Sequence, residues 1–224
     1  MRGALEAERK AERDFVEQVS AAEKAPKGWP AALVLFHLGM WRERLRNALV
    51  EVREGRAFTH PSENVDELND AELPQGIGTP LADAAARADL LLGELMDLYE
   101  RLGEQPFQWY ASTTTTEAVL RNSYTHPRLH LSEYWKENGS LDRGARLWED
   151  AQTELAAAGA PPRFLALAQY NLACIRALQG KTDAALQLLA EALPVSEVLR
   201  AAAPKDADLE SLRDDPRFQD LVRS

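Results

Sequence analysis

Cysteine is nearly absent from the 224-residue sequence, which holds one, Cys174, and histidine is scarce at four. A single cysteine excludes an internal disulfide and suits a reducing compartment. No apolar run approaches the roughly 20 residues that a membrane-spanning helix requires. Basic residues are the minority, 26 lysines and arginines against 36 aspartates and glutamates, for a net charge of -10. That balance repels phosphate backbones and anionic membrane surfaces, and no local basic patch offsets it, so neither nucleic acid nor membrane is expected as a partner. The opening MRGALEAERKAERDF mixes both charges and has no apolar stretch, unlike a secretory signal or a transit peptide. Gly-rich phosphate loops, zinc-ribbon cysteine pairs, a nucleophile elbow and a dinucleotide fingerprint are all missing. A soluble, cytoplasmic protein is the expectation that remains.

Alanine and leucine dominate the apolar content while aromatics make up only 7%, and both residues favour helix over strand. An all-α protein is therefore expected. Residues 4–24 carry Leu5, Phe15, Val16 and Val19 in a helical pattern that APKGWP then breaks. Pro30 suits the first turn of a second helix running to Gly55, apolar nearly all round in its first half, which predicts burial there. Residues 56–80, rich in Pro, Gly, Asn and Asp, read as a long connection of the kind that is often functional. Thr79 is the expected cap of a third helix, with Pro80 at its first position. After EQPFQWYAS a fourth starts at a Thr114/Glu117 capping box and ends at Gly139, with Pro127 expected to kink or restart it. Four helices with one long crossover describe a four-helix bundle over residues 1–139.

Residues 140–224 change character, to three Ala-rich helices with short breaks. The spacing of Leu172, Ala173, Gly180, Ala185, Leu186, Leu189, Ala192 and Leu193 resembles a tetratricopeptide repeat, whose small residues let antiparallel helices approach closely. DLESLRDDPRFQDLV looks like the closing helix that follows such repeats. HLSEYWKENG with Gly144, Ala145, Trp148 and Ala151 is a weaker echo, in which the last bundle helix doubles as the first of the repeat stack.

His126 and His130, in NSYTHPRLHL, stand one turn apart. On a continuous helix their Cβ atoms lie about 5–6 Å apart on one face, so two imidazoles can reach one ion. The pair alone is weak evidence, because surface pairs of this kind are common. His37 is the candidate third ligand. It is embedded in ALVLFHLGMWRERL with apolar neighbours on both sides, where a buried imidazole must satisfy two ring nitrogens through hydrogen bonds or a metal. Metal sites of bundles are built where facing helices meet across the core.

GWPAALVLFHLGMWRERL, with Trp29, His37, Leu38 and Trp41, together with RNSYTHPRLHLSEY far downstream, resembles the DinB-like four-helix bundle superfamily, and within it the ClbS/DfsB-type members. The resemblance covers residues 4–139, VDELND included. It implies a three-histidine site, His37, His126 and His130, for a divalent transition metal, with zinc or nickel foremost and iron or manganese as alternatives. Three neutral imidazoles suit such ions and leave a position for water or substrate. No thiol-binding signature of the thiol-transferase branch is recognisable.

Neighbouring residues carry paired readings. Asn122, one turn before His126, and Glu133, one turn after His130, are candidates to orient an imidazole, and Glu133 to take a proton from bound water as a catalytic base; the alternative for both is plain helix surface. Trp41 reads as a core anchor rather than a substrate platform, Arg44 as a solvated cation or a clamp for an anionic substrate, and His60 as a surface loop histidine rather than a fourth ligand or a lid residue. Trp109 and Tyr110 read as packing residues or as the rim of a pocket. Cys174 reads as a small core residue. Two functions follow. One is a metal-dependent hydrolase or thiol-transferase-type enzyme acting on a reactive small molecule, in detoxification or resistance. The other is a non-catalytic ligand-binding or protein-binding module whose repeat-like half recruits a protein partner. A homodimer is compatible with either.

Overall fold

The computed structural model describes residues 1–20, 26–60 and 64–223, which fall into two units, Met1–Tyr134 and Trp135–Ser224. It is mostly helical. The end of the first expected helix (21–24), the start of the break after it (25) and part of the long connection (61–63) lie outside the described residues.

In the first unit, α1 (Arg2–Ser20) buries Leu5, Glu8, Glu12 and Phe15, a stripe at the 3-4-3 spacing of a helix face. α2 (Ala31–Arg53) follows Pro30, and its first half is buried on nearly every side, Val34, Leu35, His37, Leu38, Met40 and Trp41 included. Gly55, at φ 69°, sits just past its end. The connection after it is not all loop. Asn64 caps α3 (Val65–Glu72) by accepting the Glu67 N–H at 3.3 Å, and a 3-10 turn, Leu73–Gly76, follows. A Cβ at Gly76 would collide with the Phe36 ring, so only glycine lets the turn lie on α2. α4 (Leu81–Leu102) packs along α2 through Ala88, Leu92 and Leu95. It starts one residue later than expected: Pro80 holds the capping position and no side chain caps the helix.

The segment read as a plain break between helices contains a hairpin, β1 (Pro106–Trp109) and β2 (Ser112–Thr114), antiparallel with Trp109 opposite Ser112. Phe107 and Trp109 point inward while Gln108 is exposed, the two-residue period of a half-buried strand. Three or four residues are too few for that period to declare itself in a helical background. The capping box is displaced by one. Thr114 accepts the Glu117 N–H at 3.2 Å, but the Glu117 carboxylate returns to Thr113, taking its N–H at 2.8 Å and its hydroxyl at 2.9 Å.

α5 (Thr115–Leu120), a π-helical turn (Arg121–Thr125) and α6 (His126–Glu137) then succeed one another. Pro127 lacks an N–H and its ring crowds the preceding turn. The chain responds by widening that turn to an i to i+5 bond, from the His126 N–H to the Arg121 carbonyl, and resumes α-helix at once. Two buried ion pairs tie α1 to the helices that carry the histidines. Arg42 pairs with Glu12, donates a second bond to it at 2.9 Å and another to the Ala88 carbonyl at 3.1 Å, while Arg128 pairs with Glu8.

The second unit contains α7 (Leu141–Ala157), α8 (Pro162–Leu178), α9 (Thr182–Ala192), α10 (Glu197–Ala202) and α11 (Pro216–Arg223). α7 packs on α8 and α8 on α9. Ala173, Ala185 and Ala192 are fully buried there with Leu189, which is the close approach that small residues permit. The closing helix is split, since DLESL belongs to a 3-10 segment (Ala207–Leu212) and Pro216 opens α11. Among the described residues no helix is long and apolar enough to cross a membrane.

Candidate metal centre

His37 comes from α2, and His126 and His130 from α6. The donor atoms of the three lie within 4.8 Å of one another. His126 Nε2 is 3.1 Å from His37 Nε2 and 2.9 Å from His130 Nε2. Metal–nitrogen bonds of about 2.0–2.1 Å at angles of about 90–110° put neighbouring nitrogens about 2.8–3.4 Å apart. Two edges fall in that window and the third lies within 4.8 Å, so the donor set is compatible with a single divalent ion.

Hydrogen bonding alone satisfies this arrangement poorly, because His126 Nε2 could serve both neighbours only by sharing one lone pair. A neutral imidazole nitrogen offers either one N–H or one lone pair, yet His126 Nε2 faces two other nitrogens. One shared cation accepting three lone pairs removes the conflict. Protonating the rings does not, because burial pushes the basicity of all three down. His37 falls to about 3, through burial first and then the nearby His130 and Arg44 charges. His130 falls to about 4 through burial. His126 falls well below the usual histidine range, through burial and the neighbouring histidines and arginines. All three are therefore neutral at pH 7, the form in which imidazole binds a metal.

Tryptophans hold the rings in place. Trp29 lies parallel to His130 at 5.7 Å and edge-on to His37 at 5.3 Å. Trp41, buried one turn beyond His37, is edge-on to His37 at 6.3 Å and to His126 at 6.4 Å. Its indole N–H donates to Asn69 of α3 at 3.1 Å. His37 Nδ1, buried, has no hydrogen-bond partner among the described residues. Ligating histidines usually donate that second N–H to an acceptor, and His37 lacks one among the described residues.

Asn122 does not reach an imidazole. It is buried on the π turn, donates to the Trp41 carbonyl at 3.0 Å and accepts from Ser123 at 2.9 Å. It thereby joins the two histidine-bearing segments. Glu133 lies half-buried on α6, and its carboxylate is not in the converging group. Arg44 is not free in solvent, since it pairs with Glu72 and lies over the Trp41 ring at 5.0 Å. His60 is not a ligand in this group either. Half-buried, it accepts the Tyr110 N–H at 3.1 Å and packs on the Trp109 and Tyr110 rings, latching the loop to the hairpin. Trp109 and Tyr110 do line a cavity of about 130 Å³ that reaches His126, with Trp41, Val65, Arg121 and Asn122.

Three features of the site and its surroundings had no separate sequence reading: Arg121, the Trp29 stack and the buried carboxylates of α1. The carboxylates left a trace. Glu8 and Glu12 fall in register with Leu5 and Phe15, a place where an acid must find a buried partner.

In the second unit Cys174 is buried but not in purely apolar company, for its thiol lies 3.7 Å from Asp206 Oδ2, and Asp208 completes a compact group. Protein donors already serve these carboxylates, Tyr170 at 2.8 Å on Asp206 and the Lys136 ammonium at 2.8 Å on Asp208. Burial and the two aspartates push the thiol's pKa up, away from the thiolate that binds metals. The group reads as a hydrogen-bond cluster.

No protein-family model, no curated protein and no solved structure matches the chain.

Proposed function

We propose that His37, His126 and His130 hold a divalent transition metal, zinc or nickel, in a DinB-like four-helix bundle. The protein is then a metal-dependent hydrolase or a thiol-transferase-type enzyme that acts on a reactive small molecule, in detoxification or resistance. The convergence of three neutral imidazole nitrogens carries this reading. When bound, the ion supplies Lewis acidity and lowers the pKa of a coordinated water. The chain's own residues do the rest. The three imidazoles donate lone pairs, Trp29 and Trp41 exclude water from their flanks, and the cavity beside His126 gives a substrate access from one side. Glu133, on the helix of the histidine pair, is proposed to take the proton.

Metal analysis of protein purified without a histidine tag tests the reading. About one equivalent is expected in the wild type and its loss in His126→Ala/His130→Ala, whereas a metal content that survives both substitutions refutes it. For Glu133→Gln the expectation is unchanged metal content with turnover reduced about 100-fold or more.

The stacking of α7 on α8 and of α8 on α9 supports a second reading, that the C-terminal unit is a tetratricopeptide-like surface for a protein partner. It is compatible with the first.

A further inference from the structure

The cavity beside His126 has a size, a wall chemistry and one charge, and together they describe an occupant. Its volume is about 130 Å³, close to the engineered cavity of about 150 Å³ that takes up one benzene. Trp41, Trp109 and Tyr110 supply aromatic faces, with Trp41 and Tyr110 at 5.9 Å and Trp109 and Tyr110 perpendicular at 5.5 Å. Val65 of α3 adds an apolar edge and Arg121 a cation.

Local backbone distortions place two of these residues. Tyr110 has φ 51°, a conformation that costs a non-glycine residue energy and concentrates at functional sites. Arg121 precedes His126 by five residues, which in an α-helix would put them about 140° apart around the axis. The π turn closes its i to i+5 bond between these two residues, and both line the same cavity. Widened turns of this kind recur at functional sites.

We infer that this cavity seats a single planar ring bearing an anionic group, with the ring among Trp41, Trp109 and Tyr110 and the anion on Arg121. The substrate class is thus an aromatic or conjugated carboxylate, or an acid of similar shape. The inference rests on the metal-site reading only in that His126 marks the reactive end. A planar ring gains from aromatic faces, and a carboxylate from a guanidinium fork.

Calorimetric titration of the full chain with benzoate, benzyl alcohol and acetate tests this, both after chelator treatment and with zinc restored. Benzoate is expected to bind at least about tenfold more tightly than either of the others, in both metal states. Arg121→Gln should bring benzoate down to the level of benzyl alcohol. Val65→Trp should fill the cavity and abolish binding of both ring compounds, with helical circular dichroism confirming the fold of each variant. Equal binding of acetate and benzoate, a benzoate preference that appears only with zinc, or an Arg121→Gln protein that keeps the preference would each overturn the inference. Metal content measured on the same samples separates the two ideas. Retained metal without a ring preference sinks this inference alone, while a ring preference in protein that takes up no zinc when zinc is restored sinks the metal reading alone.

Discussion

His126 stands at the shared vertex of the histidine triangle, 3.1 Å from one partner nitrogen and 2.9 Å from the other, so His126→Ala should disable the site more thoroughly than any neighbouring change. Structural zinc sites with four ligands bind with about 10–16 kcal/mol, or about 2.5–4 kcal/mol per ligand. Losing one ligand therefore weakens affinity roughly 100- to 1,000-fold. Truncating the vertex also leaves His37 and His130 without the nitrogen that both of them approach. The wild type at a free zinc concentration of 1,000 Kd gains about 4 kcal/mol of stability from binding. That amounts to roughly 10 °C or more in melting temperature for a unit of this size. The assay is competition against a chromophoric chelator, paired with melting curves with and without zinc. His37→Ala should weaken binding in the same direction but by less, while His60→Ala, which removes the acceptor of the Tyr110 N–H, should leave affinity within about threefold. Equal losses for His126→Ala and His60→Ala, or a wild type whose melting does not respond to zinc, would refute the reasoning.

Acid should act on the same rings. The folded protein keeps His37 and His130 neutral down to about 3 and about 4, whereas the unfolded chain takes up protons below about 6.5. The unfolded state thus binds more protons in that interval, so stability is full above about pH 6.5 and falls as the pH drops towards 4. Chemical denaturation midpoints at pH 7.5 and 5.0 check the sign, and a higher midpoint at pH 5.0 would contradict it. Arg42→Met leaves Glu12 buried without its partner and should cost about 3–5 kcal/mol; adding Glu12→Met should restore most of that loss, as measured by urea denaturation. Gly76→Ala drives a methyl group into the Phe36 ring and should cost about 1–3 kcal/mol, whereas Gly78→Ala, which meets no neighbouring atom but has φ 86°, reports backbone strain alone.

Much of this molecule was legible in the chain. Helical class followed from an alanine-rich and leucine-rich composition, and the burial of α2 from an apolar run without a polar side. The three histidines could be singled out because there are only four, and because one of them lies in that apolar run. The hairpin was not legible, since a strand of three or four residues leaves too short a pattern to stand against propensity. Nor was the true role of Asn122, because one-turn spacing indicates a shared face but not which acceptor across the gap a side chain will find.

Local rules of helix periodicity, capping and proline placement act within a few residues, and those the sequence determined by itself. Contacts between residues far apart in the chain were decided only by the tertiary structure. His37 and His126 are 89 positions apart, and Arg128 and Glu8 are 120 apart. Whether two such groups meet depends on how whole helices pack, and a small rotation of one of them would part the nitrogens. The π turn shows the division: Pro127 announces a disturbance in the chain, but only the packed structure reveals that the extra residue brings a cation beside a histidine.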